Sequence, residues 1–233
     1  MRRRDLIAAA LAAGIAPAAR ATPRSVVIEL FTSQGCSSCP PADALLGELA
    51  RRPDVIALAW HVDYWDNLGW HDRFASPAAT ARQKAYARQL DSVVFTPALV
   101  VDGSKVVVGS ERASVEHAIA AAVALPVSVT ISRSADALAV DIGAAPGPVV
   151  AQRIVYDRVQ ATDVSAGEND GRRLHDYRIV RQVETLAEWD GSARRFTTKA
   201  ANVGQGVVVL LQSADLRVLG AADLPADGGA NQT

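Results

Sequence analysis

The chain holds only two cysteines, Cys36 and Cys39, separated by Ser37 and Ser38 and followed at once by Pro40 and Pro41. They sit at a junction. Before them runs Ser25 to Phe31 (SVVIELF), apolar and rich in β-branched residues; after them, Pro40 to Ala50 sets Leu45, Leu46 and Leu49 at helical spacing. Proline fits a first helical turn, where its missing N–H has no partner to lose. The pair is therefore expected at a helix N-terminus, where unpaired amides and the helix dipole favour a thiolate. Cys36 is expected at the exposed tip and Cys39 one turn in and more shielded. A disulfide closing so short a loop restricts the unfolded chain little, so stapling explains the pair poorly and reactivity explains it better.

The N-terminus suits that chemistry. Residues 1–21 carry Arg2, Arg3 and Arg4, an Ala- and Leu-rich run from Leu6 to Ala19, and small residues around Arg20, the pattern of an export signal cleaved near Ala21. Arg3-Arg4 also matches the twin-arginine pattern. The apolar run is too short for a membrane span, Pro17 and Arg20 interrupt its end, and no cysteine near the cleavage site offers a lipid anchor. The expected location is periplasmic or secreted, without stable membrane insertion, where a disulfide can persist. With 24 Lys+Arg against 25 Asp+Glu, the chain has no charge bias toward nucleic acid.

Further on, Val55 to Val62 reads as a central parallel strand covered on both faces. Ala79 to Leu90 reads as a helix, and Ala98 to Val101 and Lys105 to Val108 form a hairpin around Asp102-Gly103-Ser104. Ser110 can cap a helix from Glu111 to about Val123. Strand, helix, strand, hairpin, helix is the element order of a thioredoxin-like domain, assigned here to residues 22–125 as an α/β unit with a central mixed sheet flanked by helices. After Leu125-Pro126 the pattern changes to short alternating runs (127–131, 137–142, 149–156, 174–183, 192–198 and 207–212), read as a small antiparallel β-sandwich over 126–224, with a disordered tail at 225–233.

Around the dithiol, Cys36 is expected to attack and Cys39 to resolve. Ser37 and Ser38 either donate to a thiolate or act as ordinary turn residues. Thr96-Pro97 is placed for a cis bond beside the dithiol, the alternative being a plain strand-entry proline. Glu29, on the strand face it shares with Val27 and Phe31, either exchanges a proton with Cys39 or makes a salt bridge. His61 ends the second strand as a hydrogen-bonder or a catalyst, with Tyr64, Trp65, Trp70 and His71 close behind. Glu168-Asn169-Asp170-Gly171 reads as a plain β-turn without catalytic role.

The segments from Glu29 to Asp43, His61-Val62-Asp63-Tyr64-Trp65-Asp66 and Thr96-Pro97 together resemble an uncharacterised family of exported bacterial thioredoxin-like proteins, domain of unknown function twelve-twenty-three. The resemblance covers the mature chain and implies the thioredoxin-like fold and a thiol–disulfide activity, without a substrate. This chain lacks the Trp-Cys-Gly-Pro-Cys sequence of true thioredoxins, which points to a dedicated partner. The expected activity is thiol–disulfide exchange with a protein thiol or disulfide, through Cys36 and Cys39 and without an organic cofactor, in company with a protein that recycles the pair. The alternatives are Cu(I) binding by Cys36, Cys39 and His61 or His71, and a non-catalytic binding module. Exchange requires the sulfur of Cys36 to be reachable.

Overall fold

The structure, a computed structural model, describes residues 25–134 and 137–226. The expected signal peptide (1–21) and residues 227–233 of the expected tail lie outside the described residues.

Strand β1 (Val26–Thr32) leads through the cysteine turn into helix α1 (Pro40–Leu49) and then β2 (Val55–His61), which pairs parallel with β1 in the register Val26–Val55 to Thr32–His61. Helix α2 (Pro77–Gln89) follows, with Ser76 accepting a hydrogen bond from the Ala79 amide at its N-cap. Strands β3 (Ala98–Val101) and β4 (Lys105–Val108) form the expected antiparallel hairpin, and β3 pairs with β1. Helix α3 spans Arg112–Ala121; Glu111, rather than Ser110, stands at its N-cap.

The second half contributes β5 (Val129–Ser134), β6 (Ala137–Ile142), β7 (Val149–Asp163), β8 (Arg173–Trp189), β9 (Arg194–Lys199), β10 (Gln205–Ser213) and β11 (Val218–Leu224). These strands correct the expected fold class. The chain is not a helix-flanked thioredoxin-like domain followed by a sandwich, because strands from both halves make one mixed eight-stranded sheet in the order β11-β10-β7-β8-β2-β1-β3-β4. The join is the parallel pair Ala59–Ile179 between β2 and β8. It has a physical reason: β2 is buried at every position, and a fully apolar strand left at a sheet edge would expose unpaired backbone and invite association.

Packing repeats the point. On one face of the sheet, α1 and α3 cover Val26, Ile28, Leu30, Ala57, Ala59, Leu99 and Val101. On the other, Val27, Phe31, Leu58, Trp60 and Tyr86 pack in one cluster with Ile154, Tyr156, Val208, Leu210 and Val218 from the far half. A separate three-stranded sheet, β5-β6-β9, closes over β7, β10 and β11 through Val129, Val140, Ile142, Ala151, Val209 and Leu211.

Two devices direct this architecture toward the cysteines. Strands β7 and β8 run on past the rest of the sheet as a long hairpin, paired out to Asp163–Arg173, with register shifts after Ala151 and Val155 that bend it. Helix α1 lies close against β8 because Gly47 has no side chain; a Cβ there would come within 2.7 Å of the Tyr177 ring. The hairpin tip is thereby carried back to the N-terminus of α1.

Candidate functional site

Cys36 and Cys39 form a disulfide with their Cα atoms 5.4 Å apart. Cys39 is the N-cap of α1, Pro40 opens the helix, and the amides of Ala42 and Asp43 bond the Cys39 carbonyl. The Ser38 hydroxyl stands 3.3 Å from the Cys36 sulfur. Ser37 and Ser38 are exposed, whereas Cys36 and Cys39 are each 0% exposed. That overturns the expectation of an open Cys36.

Pro97 follows Thr96 through a cis bond. It lies beside the first turn of α1: a Cβ at Gly109 would sit 3.3 Å from the Ala42 Cβ and 3.5 Å from the Pro97 Cβ. The Thr96 hydroxyl accepts from the Trp65 indole N–H at 2.9 Å, and Trp65 in turn presses on the cysteine turn, 3.1 Å from where a Cβ at Gly35 would be. The aromatic segment after β2 thus forms one wall of the site.

Glu29 belongs elsewhere. Its carboxylate is held by the Arg82 guanidinium at 2.6 and 3.0 Å and accepts from the Tyr86 hydroxyl at 2.5 Å, on the sheet face opposite α1. The salt-bridge alternative describes it, although the bridge is central and buried rather than at a strand edge. Proton exchange with Cys39 has no route through the sheet from there.

His61 is on the right face. Its register partner Thr32 donates to Asp43 Oδ2 at 3.1 Å, and His61 Nδ1 lies 2.7 Å from Asp72 Oδ2, both side chains fully buried. Around this pair Gln34 acts as a hub. Its amide N–H donates to Asp72 Oδ2 at 2.9 Å, its side-chain nitrogen donates to Asp176 Oδ2 at 2.7 Å, and its side-chain oxygen accepts from the Trp70 indole at 3.1 Å. Burial penalises each charge, and the outcome differs by neighbour. Burial, reinforced by Asp176, pushes the Asp43 carboxyl up to about 8. Burial alone would lower His61, but the carboxylates of Asp72, Asp176 and Asp43 outweigh it and raise the imidazole to about 9. Burial would raise Asp72, yet His61 and the amides of Gln34 and Phe74 outweigh it and hold it below the usual range, while burial lifts Asp176. Near neutral pH the cluster therefore holds an imidazolium–carboxylate pair beside a protonated Asp43. Asp43 lies one helical turn from Cys39, on the same side of α1.

The turn between β7 and β8 completes the site, and it is more than the plain turn expected. A short 3₁₀ segment, Gly167–Asn169, docks on the cysteine turn. The fully buried Asn169 side chain donates to the carbonyls of Gln34 at 2.9 Å and Cys36 at 3.0 Å, and Glu168 accepts from the Ser37 amide at 3.0 Å. Sequence reading assigns no individual role to Gln34, Asp43, Asp72 and Asp176, and it takes Glu168 and Asn169 as a plain turn. Only Asp43 carried a local signal: a carboxylate four residues after Cys39, just ahead of the helix's leucine stripe.

Among the described residues, no group of three or more His, Cys, Asp and Glu side chains is arranged to hold a metal ion. His61 Nδ1 faces Asp72, and Nε2 is buried without a partner.

No curated protein matches the chain. Among solved structures, a crystal structure of an Agrobacterium tumefaciens protein is similar at 33% identity and a TM-score of 0.79, over 91% of this chain and all of that one. HBP35 of Porphyromonas gingivalis shares the fold at 13% identity and a TM-score of 0.61, over 91% of this chain and 80% of that one. The family described as protein of unknown function (DUF1223) matches residues 27–212, and the chain belongs to that family.

Proposed function

We propose that the chain is an exported thiol–disulfide oxidoreductase working through Cys36 and Cys39. The observation that carries this reading is a disulfide at the mouth of α1 with a buried, protonated carboxylic acid one turn behind it. A buried cluster of ionisable groups is costly, and a disulfide closing so small a ring contributes little stability, so neither is well explained as a staple.

In the oxidising direction a substrate thiolate attacks the Cys36 sulfur and the Cys36–Cys39 bond breaks. Its electron pair leaves with Cys39, which takes a proton from the Asp43 carboxyl. A second substrate thiolate then attacks the mixed disulfide and releases Cys36. The substrate loses two electrons, the protein gains them, and a recycling protein reverses the change. In the reducing direction the Asp43 carboxylate accepts the proton of Cys39 as that thiol attacks. No organic cofactor takes part.

Burial adds a requirement. The Cys36 sulfur is covered, so exchange needs the 164–172 turn or the aromatic wall to move aside; a partner that displaces them reacts faster than small thiols, which enter only as the cover opens in the folded protein. The same burial favours a second reading, a non-catalytic module in which the disulfide only shapes the turn. Trapping separates the two. A Cys39→Ala protein expressed in its native compartment should accumulate partners disulfide-bonded to Cys36. If it accumulates none, and a Cys36→Ser/Cys39→Ser protein keeps the wild-type phenotype, the module reading replaces the enzymatic one.

A further inference from the structure

We propose that Glu168 is a positioning residue that restrains thiolate formation at Cys36 by placing a fixed negative charge on the amide of the adjoining residue. The proposal rests on the oxidoreductase reading and names how that site is regulated.

The geometry starts with how firmly Glu168 is held. The turn is closed by the Gly171 amide on the Val164 carbonyl and the Val164 amide on the Arg172 carbonyl, each at 2.9 Å. Gly167 and Gly171 have φ of +73° and +76°, a conformation other residues rarely adopt, so the path of the turn depends on them. Gly167 also packs on Trp70; a Cβ there would lie 3.1 Å from the Trp70 Cβ. Asn169 pins the turn to two carbonyls of the cysteine segment, and Arg172 donates to Asn169 Oδ1 at 2.6 Å. Glu168 is exposed and adds no apolar burial, yet its carboxylate meets the Ser37 amide at 3.0 Å.

That amide belongs to the peptide joining Cys36 to Ser37. When the disulfide is opened, a Cys36 thiolate would draw on the amides of Ser37 and Ser38 and on the Ser38 hydroxyl, since the Cys36 and Cys39 amides already bond carbonyls and Pro40 and Pro41 have none. Glu168 occupies the Ser37 amide and sets a like charge one hydrogen bond from the peptide that joins Cys36 to Ser37. Both effects oppose ionisation of Cys36 and leave the uncharged disulfide untouched. The other titratable or charged groups packed about the turn include Asp43 on α1, His61 on β2, Asp72, Arg73, Asp170 in the turn itself, Arg172 and Asp176 on β8; they lie beneath or beside the segment, and of these groups only Glu168 bonds an amide next to Cys36. A like charge at ~4–6 Å shifts an ionisation midpoint by about one pH unit or more, and exposure keeps Glu168 near the lower end.

The test uses the Cys39→Ala protein, in which Cys36 is the only thiol, and follows thiolate absorbance against pH. Adding Glu168→Gln, which keeps an acceptor for the Ser37 amide and removes the charge, should lower the Cys36 midpoint by about one unit, roughly tenfold more thiolate below it. Raising salt should shrink the difference. Asp170→Asn removes an equal charge from the same turn and should leave the midpoint where it was. Unchanged titration in Glu168→Gln, or equal shifts in both variants, overturns the proposal. Thermal unfolding confirms that each variant is folded. The titration needs no substrate, so it can fail while partner trapping succeeds, and the reverse.

Discussion

Replacing Asp43 with Asn should flatten the pH dependence of stability. The Asp43 carboxyl is fully buried and raised from 3.8 to about 8, so between those values the folded protein keeps a proton that the unfolded chain has released. Stability due to this group is complete below about pH 4 and falls as pH rises toward 8. At about 1.4 kcal/mol per pH unit the ceiling is roughly 6 kcal/mol. Asp43, Asp72, Asp176 and His61 titrate as a coupled set, so we expect on the order of 3 kcal/mol between pH 5 and 8. His61 has the same sign: its midpoint rises from 6.5 to about 9, so the stability it contributes is lost as pH climbs through that window. Urea unfolding of the oxidised protein from pH 5 to 9 measures the slope without interference from thiols. The wild type should lose stability across the range; Asp43→Asn, which mimics the protonated acid and still accepts from Thr32, should lose much less of it below about pH 6.5, where only the raised Asp176 still contributes. Parallel profiles would refute a buried, proton-holding Asp43.

Other perturbations separate architecture from chemistry. Asn169→Ala strands two buried carbonyls, so it should cost about 1–3 kcal/mol in urea unfolding and hasten reduction of the folded protein's disulfide by dithiothreitol; unchanged reduction would remove the turn as a cover. Glu29→Gln leaves Arg82 short of its counter-charge and should cost about 3–5 kcal/mol, while the reduction potential of Cys36–Cys39 stays at the wild-type value; a shifted potential would tie Glu29 to the dithiol. Trp65→Phe removes the hydrogen bond to Thr96 and should also speed reduction of the disulfide by loosening the aromatic wall, measured by alkylation and mass; slower reduction would contradict that role.

Local pattern made the first half readable. Apolar runs marked β1, in spite of Glu29, and β2, the leucine spacing after Pro40-Pro41 marked α1, and Asp102-Gly103 marked the turn of the β3–β4 hairpin. Long-range pairing left no such trace. The Ala59–Ile179 pair that carries the sheet across both halves joins residues with no shared periodicity, so the second half read as a separate sandwich. Strand β7 read as ending at Tyr156 because Asp157, Arg158, Gln160 and Thr162 break the apolar alternation, yet Asp157 and Val159 to Asp163 stay paired with β8 and extend the hairpin to the cysteines. Strand β11, with Gly220, Ala221 and Ala222, has little intrinsic β preference; β10 holds it, and Gly220 admits the Val127 carbonyl, which a Cβ would approach to 2.5 Å. At the site, Cys36, Cys39, His61, Thr96 and Pro97 were legible from motif and position. Glu29 stayed open between proton exchange and a salt bridge, because strand alternation shows that it shares a face with Val27 and Phe31 but not that Arg82 waits on that face. Glu168 and Asn169 were invisible as partners, since nothing local says where a hairpin tip will dock.

Native-state reduction of the Cys36–Cys39 disulfide tests the account most directly. The oxidised protein is held in glutathione buffers without denaturant, quenched by alkylation and weighed, while circular dichroism follows the fold. The account predicts that the disulfide opens and re-forms reversibly with the fold intact, through a glutathione adduct on Cys36 that builds up in Cys39→Ala. Opening that occurs only as the chain unfolds, at the unfolding rate and with no adduct on Cys36, would contradict it.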